Sequence, residues 1–220
     1  MENLKYLIPK IMKTNLSVHV LVIDDYSDDL TDKLMENLQN NYPSRIHYIC
    51  RKSNPSYAES LCEGFKFANQ NKYQKVIQMD ADGSHAVSDL HRLLDSNSHV
   101  TIGSRYRRES KVIDVPIRRQ VISILGNIYI SIIWRSLIRD KTNGFRSFDY
   151  EAISRLSDFK SKSKGFAVQV EVLYFLVKEL DLSVNEIPVT FEYRNLGESK
   201  FNLGKLLEAF KIATAMLFKI

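Results

Sequence analysis

Apolar residues change their spacing regularly along the first half of the chain. In ENLKYLIPKIMK, residues 2–13, leucine and isoleucine recur at helical intervals, which predicts a helix weakened in its middle by Pro9. VHVLVIDD, residues 18–25, is a short β-branched run ending in acids and predicts a buried strand. SDDLTDKLMENLQNN, residues 27–41, returns to periodic leucines behind a Ser/Asp start, the pattern of a capped helix. The alternation continues with RIHYIC (45–50) as strand, SYAESLCEGFKFANQ (56–70) as helix and KVIQMD (75–80) as strand. SDLHRLLD (88–95) then predicts a short helix and HVTIGSRY (99–106) a fourth strand. Strands and helices taken in turn predict an α/β fold, a mostly parallel sheet covered on both faces.

The second half is less regular. Residues 116–138, PIRRQVISILGNIYISIIWRSLI, predict one long helix or two, with a basic entry and an apolar body. DKTNGFRSFD (140–149) reads as turn-rich, with Gly144 of Thr142–Asn143–Gly144 permitting a positive φ and Arg146 as readily structural as catalytic. FAVQVEVLYFLVKEL (166–180) predicts an apolar helix, SVNEIPVTFEYR (183–194) a strand, and residues 202–220 a closing amphipathic helix. No repeat, low-complexity tract or linker interrupts the chain, so a single domain over 1–220 is expected.

Ligands of such sheets collect at the carboxyl ends of the strands. Asp24–Asp25, Asp80–Asp82 and Arg105 all fall there. In extended backbone residues i and i+2 face one side, so Asp80 and Asp82 are expected to present their charges together. Two carboxylates that close repel unless a cation sits with them. An isolated D-x-D is usually a surface pair; its place at a strand end beside two other polar clusters is what favours a site.

Composition narrows the partners. The chain is 44% hydrophobic and 26% charged, as folded proteins are, with net charge +5 and pI near 9.1. That excess suits phosphates or a membrane surface, and no aromatic–arginine signature supports nucleic acid. Cys50 and Cys62 make neither a zinc spacing nor a disulfide framework and read as ordinary packing residues in a reducing compartment. Met1–Lys13 is amphipathic rather than a signal peptide. Val121–Trp134 is shorter than the roughly 20 residues of a membrane span, which leaves it either in the core or lying on a bilayer.

The segments VIDDYSDD, MDADGSH, GSRY, RRQVIS, KTNGFRSF, GFAVQVE, EIPVTFEYR and GESK occur here in one order. Together, from about Val18 to Lys200, they resemble the family 2 glycosyltransferases, most closely the polyprenyl-phosphate (dolichyl-phosphate) mannose synthase branch. The resemblance implies an α/β sandwich of the nucleotide-diphospho-sugar transferase (GT-A) type, with residues 1–115 binding nucleotide and 116–220 binding acceptor. It implies that Asp24 and Asp25, with Lys52 and Asn54 nearby, hold the nucleotide. Asp80 and Asp82, with Ser84, are then ligands of Mg²⁺ or Mn²⁺, and His85 supports that shell or faces phosphate. Arg105, Arg119, Ser123 and Arg194, together with Lys200, are then contacts of donor or acceptor phosphates.

The residue types suit that chemistry. A nucleotide-diphosphate leaving group gains charge as its sugar bond breaks; a hard divalent ion and arginine forks stabilise it. A sugar hydroxyl acceptor needs a general base, for which Glu171 is the best candidate, whereas a lipid phosphate is already a nucleophile. Arginines outnumber spare bases here, which favours polyprenyl phosphate and direct displacement with inversion. GDP-mannose and UDP-hexoses are equally open as donors. The expected place is peripheral, at the cytoplasmic face of a membrane, with Lys205, Lys211 and Lys219 either facing headgroups or flanking a core helix.

One departure stands out. Relatives open with a strand ending in a P-T-Y-N-E type segment that cradles base and ribose, and here Met1 stands in its place. The chain is therefore expected to begin one strand late, through a late start site or a true truncation, with its neighbours' edges exposed. A true truncation would make a non-catalytic binding module the rival reading.

Overall fold

The computed structural model describes residues 2–14, 16–53, 55–193 and 210–216. Helix α1 (Glu2–Met12) carries Pro9 without breaking, burying Leu4, Ile8, Ile11 and Met12. Strand β1 (Val20–Asp24) pairs in parallel with β2 (Ile46–Cys50), and α2 (Thr31–Asn41) lies between them in sequence. Helix α3 (Tyr57–Gln70) starts at an N-cap, Ser56, whose side chain accepts from the Glu59 N–H. Strand β3 (Lys75–Gln78), a short helix α4 (Leu90–Leu94) and β4 (Val100–Ser104) complete the alternating half.

Strand β5 (Lys111–Ile113) leads into α5, one uninterrupted helix over Ile117–Trp134 that ends where Arg135 turns left-handed at φ 48°. Then follow β6 (Arg146–Asp149), α6 (Tyr150–Leu156) and α7 (Val168–Tyr174), which runs on through a π-helical turn to Glu179. Strands β7 (Val184–Pro188) and β8 (Thr190–Glu192) precede α8 (210–216).

The sheet is mixed. Four strands lie in the order β3-β6-β4-β7, with β6 antiparallel to both neighbours and β4 parallel to β7. Two further parallel pairs, β1-β2 and β5-β8, stand beside it. Strands from both halves of the chain thus share one sheet. β1 pairs only with β2 and β3 only with β6, so each keeps one edge without a strand partner among the described residues. Every residue of these two strands is only half-buried, whereas all of β4 is buried.

Helices join what the ladders do not. Leu4, Ile8 and Met12 of α1 pack with Met35, Leu38 and Ile46 against the β1-β2 pair. Ile11 of the same helix reaches Val87, Leu93 and Phe145, with Val20 and Ile77 alongside. The main core lies under the four-stranded sheet, where Phe65 meets Phe148 edge-on at 5.0 Å amid Ile102, Ile153, Val172 and Leu176.

Several expectations need correction. Residues 146–149 are a central strand, not turn: Arg146, Ser147 and Phe148 are all buried there, and two polar residues disguise the run. Residues 183–194 form two strands in two sheets, parted after Pro188, which cannot donate to a ladder. The Ser/Asp cap of α2 does not form; Leu30 occupies the N-cap at φ 57° with no side-chain cap. Gly144 is not at positive φ. It is small because a Cβ there would meet Tyr57 Oη at 3.2 Å, Gln78 Nε2 at 3.2 Å and Gln169 Nε2 at 3.3 Å.

Candidate active site

β3 ends at Gln78, two residues before the first acid, so the carboxylates sit in a turn rather than along extended backbone. Gly83 allows that turn by adopting φ 82°, a region L-residues rarely enter. Ser84 closes it: its N–H and its hydroxyl both donate to Asp82 Oδ1, at 3.0 and 2.6 Å. The next residues are stitched to β8, with Glu192 N–H donating to Ser84 O at 2.9 Å and Ala86 N–H to Thr190 O at 3.4 Å.

His85 holds the turn from inside. It is buried, stacked on Phe145 at 4.7 Å and 8°, and its Nδ1 accepts the Asp80 backbone N–H at 3.1 Å. Its Nε2 donates to Asn143 Oδ1 at 3.3 Å, and Asn143 in turn donates to Gly103 O. These partners fix the neutral Nε2–H tautomer. Burial lowers the imidazole's proton affinity against the opposing pull of Asp80 and Asp82. Both ring nitrogens are occupied, so His85 positions the turn and does not ligate.

Asp80 accepts from Tyr57 Oη at 3.3 Å through Oδ1, and among the described residues its Oδ2 accepts no hydrogen bond. The fit to a divalent ion rests on this donor set: Asp80, Asp82 and Ser84 offer hard oxygens within one turn. No group of three or more His, Cys, Asp or Glu able to hold a metal occurs among the described residues. Such an ion would be held here by two carboxylates, with its charge available to a diphosphate.

Arg105 lies close enough to Asp80 for the two charges to act on each other, but its guanidinium is held elsewhere. Its Nε and Nη2 clamp Asp140 at 2.8 and 2.7 Å, its backbone N–H adds a third bond at 2.9 Å, and Nη2 also reaches Thr142 Oγ1 at 2.9 Å. Asp140 is fully buried; burial raises its proton affinity, but Arg105 outweighs that and holds the carboxyl below its usual range. The resemblance leads one to expect a phosphate contact at Arg105; the structure shows it first as the counter-ion of Asp140. Ser123 accepts from Tyr106 Oη at 2.6 Å, which ties α5 to this cluster, and the Arg119 guanidinium lies 5.2 Å from the Tyr193 ring.

Asp24 and Asp25 are drawn into the fold. Asp24 accepts from Ser27 N–H and hydroxyl and from Tyr48 Oη at 3.1 Å. Asp25 accepts from Arg51 Nη1 at 2.6 Å, Ser60 Oγ at 2.8 Å and Ser56 N–H at 2.9 Å. Lys52 is exposed; Asn54, Arg194, Lys200, Lys205 and Lys219 lie outside the described residues.

Glu171 is not poised as a base. It is 1% exposed, and its carboxylate accepts from Lys162 N–H at 2.7 Å, Ser163 N–H at 2.9 Å and Ser161 Oγ at 3.1 Å. Arg146 is likewise structural, donating from Nη1 to Gln169 O and from Nη2 to Lys141 O, both at 2.7 Å. Sequence reasoning overlooked Asp140, Tyr57 and Gln169. Asp140 stands one residue before the KTNGFRSF segment and Gln169 inside GFAVQVE, while Tyr57 carries no local signal.

Comparison with known proteins places this geometry. Residues 2–157 match Glycosyl transferase family 2. The chain is 34% identical over 216 residues to polyprenol monophosphomannose synthase of Mycolicibacterium smegmatis, covering 96% of this chain and 81% of that one. It is 32% identical over 192 residues to undecaprenyl-phosphate mannosyltransferase of Micrococcus luteus, covering 86% and 78%. In fold it resembles glucosyl-3-phosphoglycerate synthase of Mycobacterium tuberculosis, solved in complex with Mn²⁺, UDP and glucosyl-3-phosphoglycerate. That superposition has a TM-score of 0.62 at 14% identity and covers 99% of this chain and 75% of that one. The mixed α/β architecture, the acidic turn at the end of β3 and these matches together make the chain a glycosyltransferase belonging to glycosyl transferase family 2.

Proposed function

We propose that this protein transfers a hexose from a nucleotide-diphosphate sugar to a polyprenyl phosphate, with inversion and with a divalent metal. The observation that carries the reading is the braced turn of Asp80, Asp82 and Ser84 at the end of β3. Mg²⁺ or Mn²⁺ bound by Asp80 and Asp82 would neutralise the charge developing on the leaving diphosphate. His85 and Tyr57 hold the acids in place, and the guanidinium of Arg105 contributes positive potential beside them.

The acceptor follows from what is missing and from what is exposed. Glu171, the best candidate for activating a hydroxyl, is saturated by backbone N–H groups, whereas a phosphate needs no base. The two sequence relatives bear names of polyprenyl-phosphate mannosyl transfer, which favours mannose, and hence GDP-mannose, over a UDP-hexose. Helix α5 offers a lipid-facing surface: Ile117, Val121, Ile124, Leu125, Ile128 and Ile132 are exposed along it, behind Arg118 and Arg119 at its start. The exposed apolar side of α5 with its basic start suits peripheral contact with a membrane, at the cytoplasmic face on this reading.

The test is a donor-by-acceptor screen with labelled GDP-mannose and UDP-glucose, undecaprenyl phosphate or free sugars, and Mn²⁺ or EDTA. Label entering the organic phase only with lipid phosphate and metal is expected. Label passing to a free sugar, or transfer unaffected by EDTA, would overturn the reading.

A further inference from the structure

Tyr57 opens α3 on the far side of the sheet from the His85 brace, and its hydroxyl is unusually constrained. Two side-chain amides donate to it, Gln78 Nε2 at 3.0 Å and Gln169 Nε2 at 2.8 Å. A phenol oxygen has two acceptor positions and one proton. With both acceptor positions taken, the proton has a single remaining acceptor, Asp80 Oδ1 at 3.3 Å.

Both glutamines lie beside the buried Arg146. Gln78 faces Arg146 across the β3–β6 register, and the Gln169 carbonyl accepts from Arg146 Nη1. Among the described residues the Oε1 atoms of both glutamines have no hydrogen-bond partner, so the amides meet Tyr57 through Nε2 alone. Gly144 leaves the room for it, since a Cβ there would press on Tyr57 Oη and both amides.

We infer that Tyr57 is a positioning residue that aims the Asp80 carboxylate, its hydroxyl polarised by Gln78 and Gln169 into donating only to Oδ1. The inference rests on reading Asp80 as a metal ligand. With Oδ1 held by the phenol, Oδ2 is the oxygen presented to the ion. Outer partners of this kind typically change metal affinity about 10-fold or more.

Metal affinity tests it without turnover. Mn²⁺ binding to the whole chain, with GDP or UDP, is followed by the loss of the free-ion EPR signal. Tyr57→Phe is expected to weaken Mn²⁺ roughly tenfold, and to add nothing further in an Asp80→Asn background. Gln169→Glu replaces a donor with an acceptor and draws the phenol proton away from Asp80. It is expected to weaken Mn²⁺ as well, although the added negative charge alone would tighten it. Wild-type affinity in Tyr57→Phe, or tighter binding in Gln169→Glu, while Asp80→Asn measurably weakens binding, would overturn the role of Tyr57 and leave the metal site standing. If the unsubstituted chain binds no Mn²⁺ with either nucleotide, the metal reading falls and this inference with it.

Discussion

Asp24 and Asp25 close β1 much as Asp80 and Asp82 follow β3, yet the two acidic pairs meet different surroundings. The first pair accepts hydrogen bonds from five residues, Ser27, Tyr48, Arg51, Ser56 and Ser60, drawn from a turn, β2, and the start of α3. The hydrogen bonds shown for the second pair fall on one oxygen of each carboxylate, from Tyr57 and from Ser84 of the same turn. Carboxylates saturated by their own fold hold the chain together; Asp80, whose Oδ2 accepts no hydrogen bond among the described residues, keeps an oxygen for something else. On the proposed reading, similar residues at similar strand ends divide between architecture and chemistry.

The largest effect that would test this division is at the second pair. Asp82→Asn should lower metal-dependent turnover by roughly 10²-fold or more, a loss of about 3 kcal/mol of transition-state stabilisation. Its thermal unfolding should stay near that of the parent; a variant that unfolds early but keeps its specific activity would reverse the assignment. Asp140, saturated like the first pair, should act in the opposite sense. Asp140→Asn leaves Arg105 buried beside a neutral partner and should cost about 3 kcal/mol in denaturant unfolding.

The same pair predicts an acid limb. Because the folded carboxyl of Asp140 sits below its unfolded value, it stabilises the native state at neutral pH. That contribution is lost as pH falls below about 3.9, the ordinary Asp value, and on through the folded one. Stability measured from pH 6 downward should therefore fall less steeply in Asp140→Asn than in the parent.

Smaller effects sharpen the contrast. Asp25→Asn should destabilise by about 1–2 kcal/mol, through weakened bonds to Arg51 and Ser56, while Mn²⁺ affinity stays within about twofold. Glu171→Gln should cost about 1 kcal/mol by opposing two backbone N–H donors with an amide that offers one acceptor oxygen. Its turnover should be nearly unchanged; a large fall in kcat with normal stability would restore Glu171 as a base.

What the sequence made legible follows the same division. β1 to β4 and α3 could be read because β-branched runs and helical periodicity are local signals, and the acidic turn could be read because its members are neighbours in sequence. β6 could not, because Arg146 is buried among backbone carbonyls, an environment that hydropathy treats as surface. The saturation of Asp25 was equally hidden. Its partners lie 26 to 35 residues away, and only the packing of α3 beside β1 brings them to it. Glu171 misled for a different reason: a carboxylate on an apolar helix looks like a buried base until the 161–163 loop is seen wrapped over it.

The open flanks of β1 and β3 have a mechanical meaning. Among the described residues the backbone amides there have no neighbouring ladder to share load, and α1 packs in both the cluster over the β1-β2 pair and the cluster holding Ile77 of β3. The seam between these flanks lies close to the acidic turn, because β3 leads into the turn and Val20 of β1 packs in one cluster with Ile77 of β3. Amide hydrogens along that seam should exchange with solvent long before those of β4, and anything that zips the two flanks together would stiffen the platform on which the acids stand.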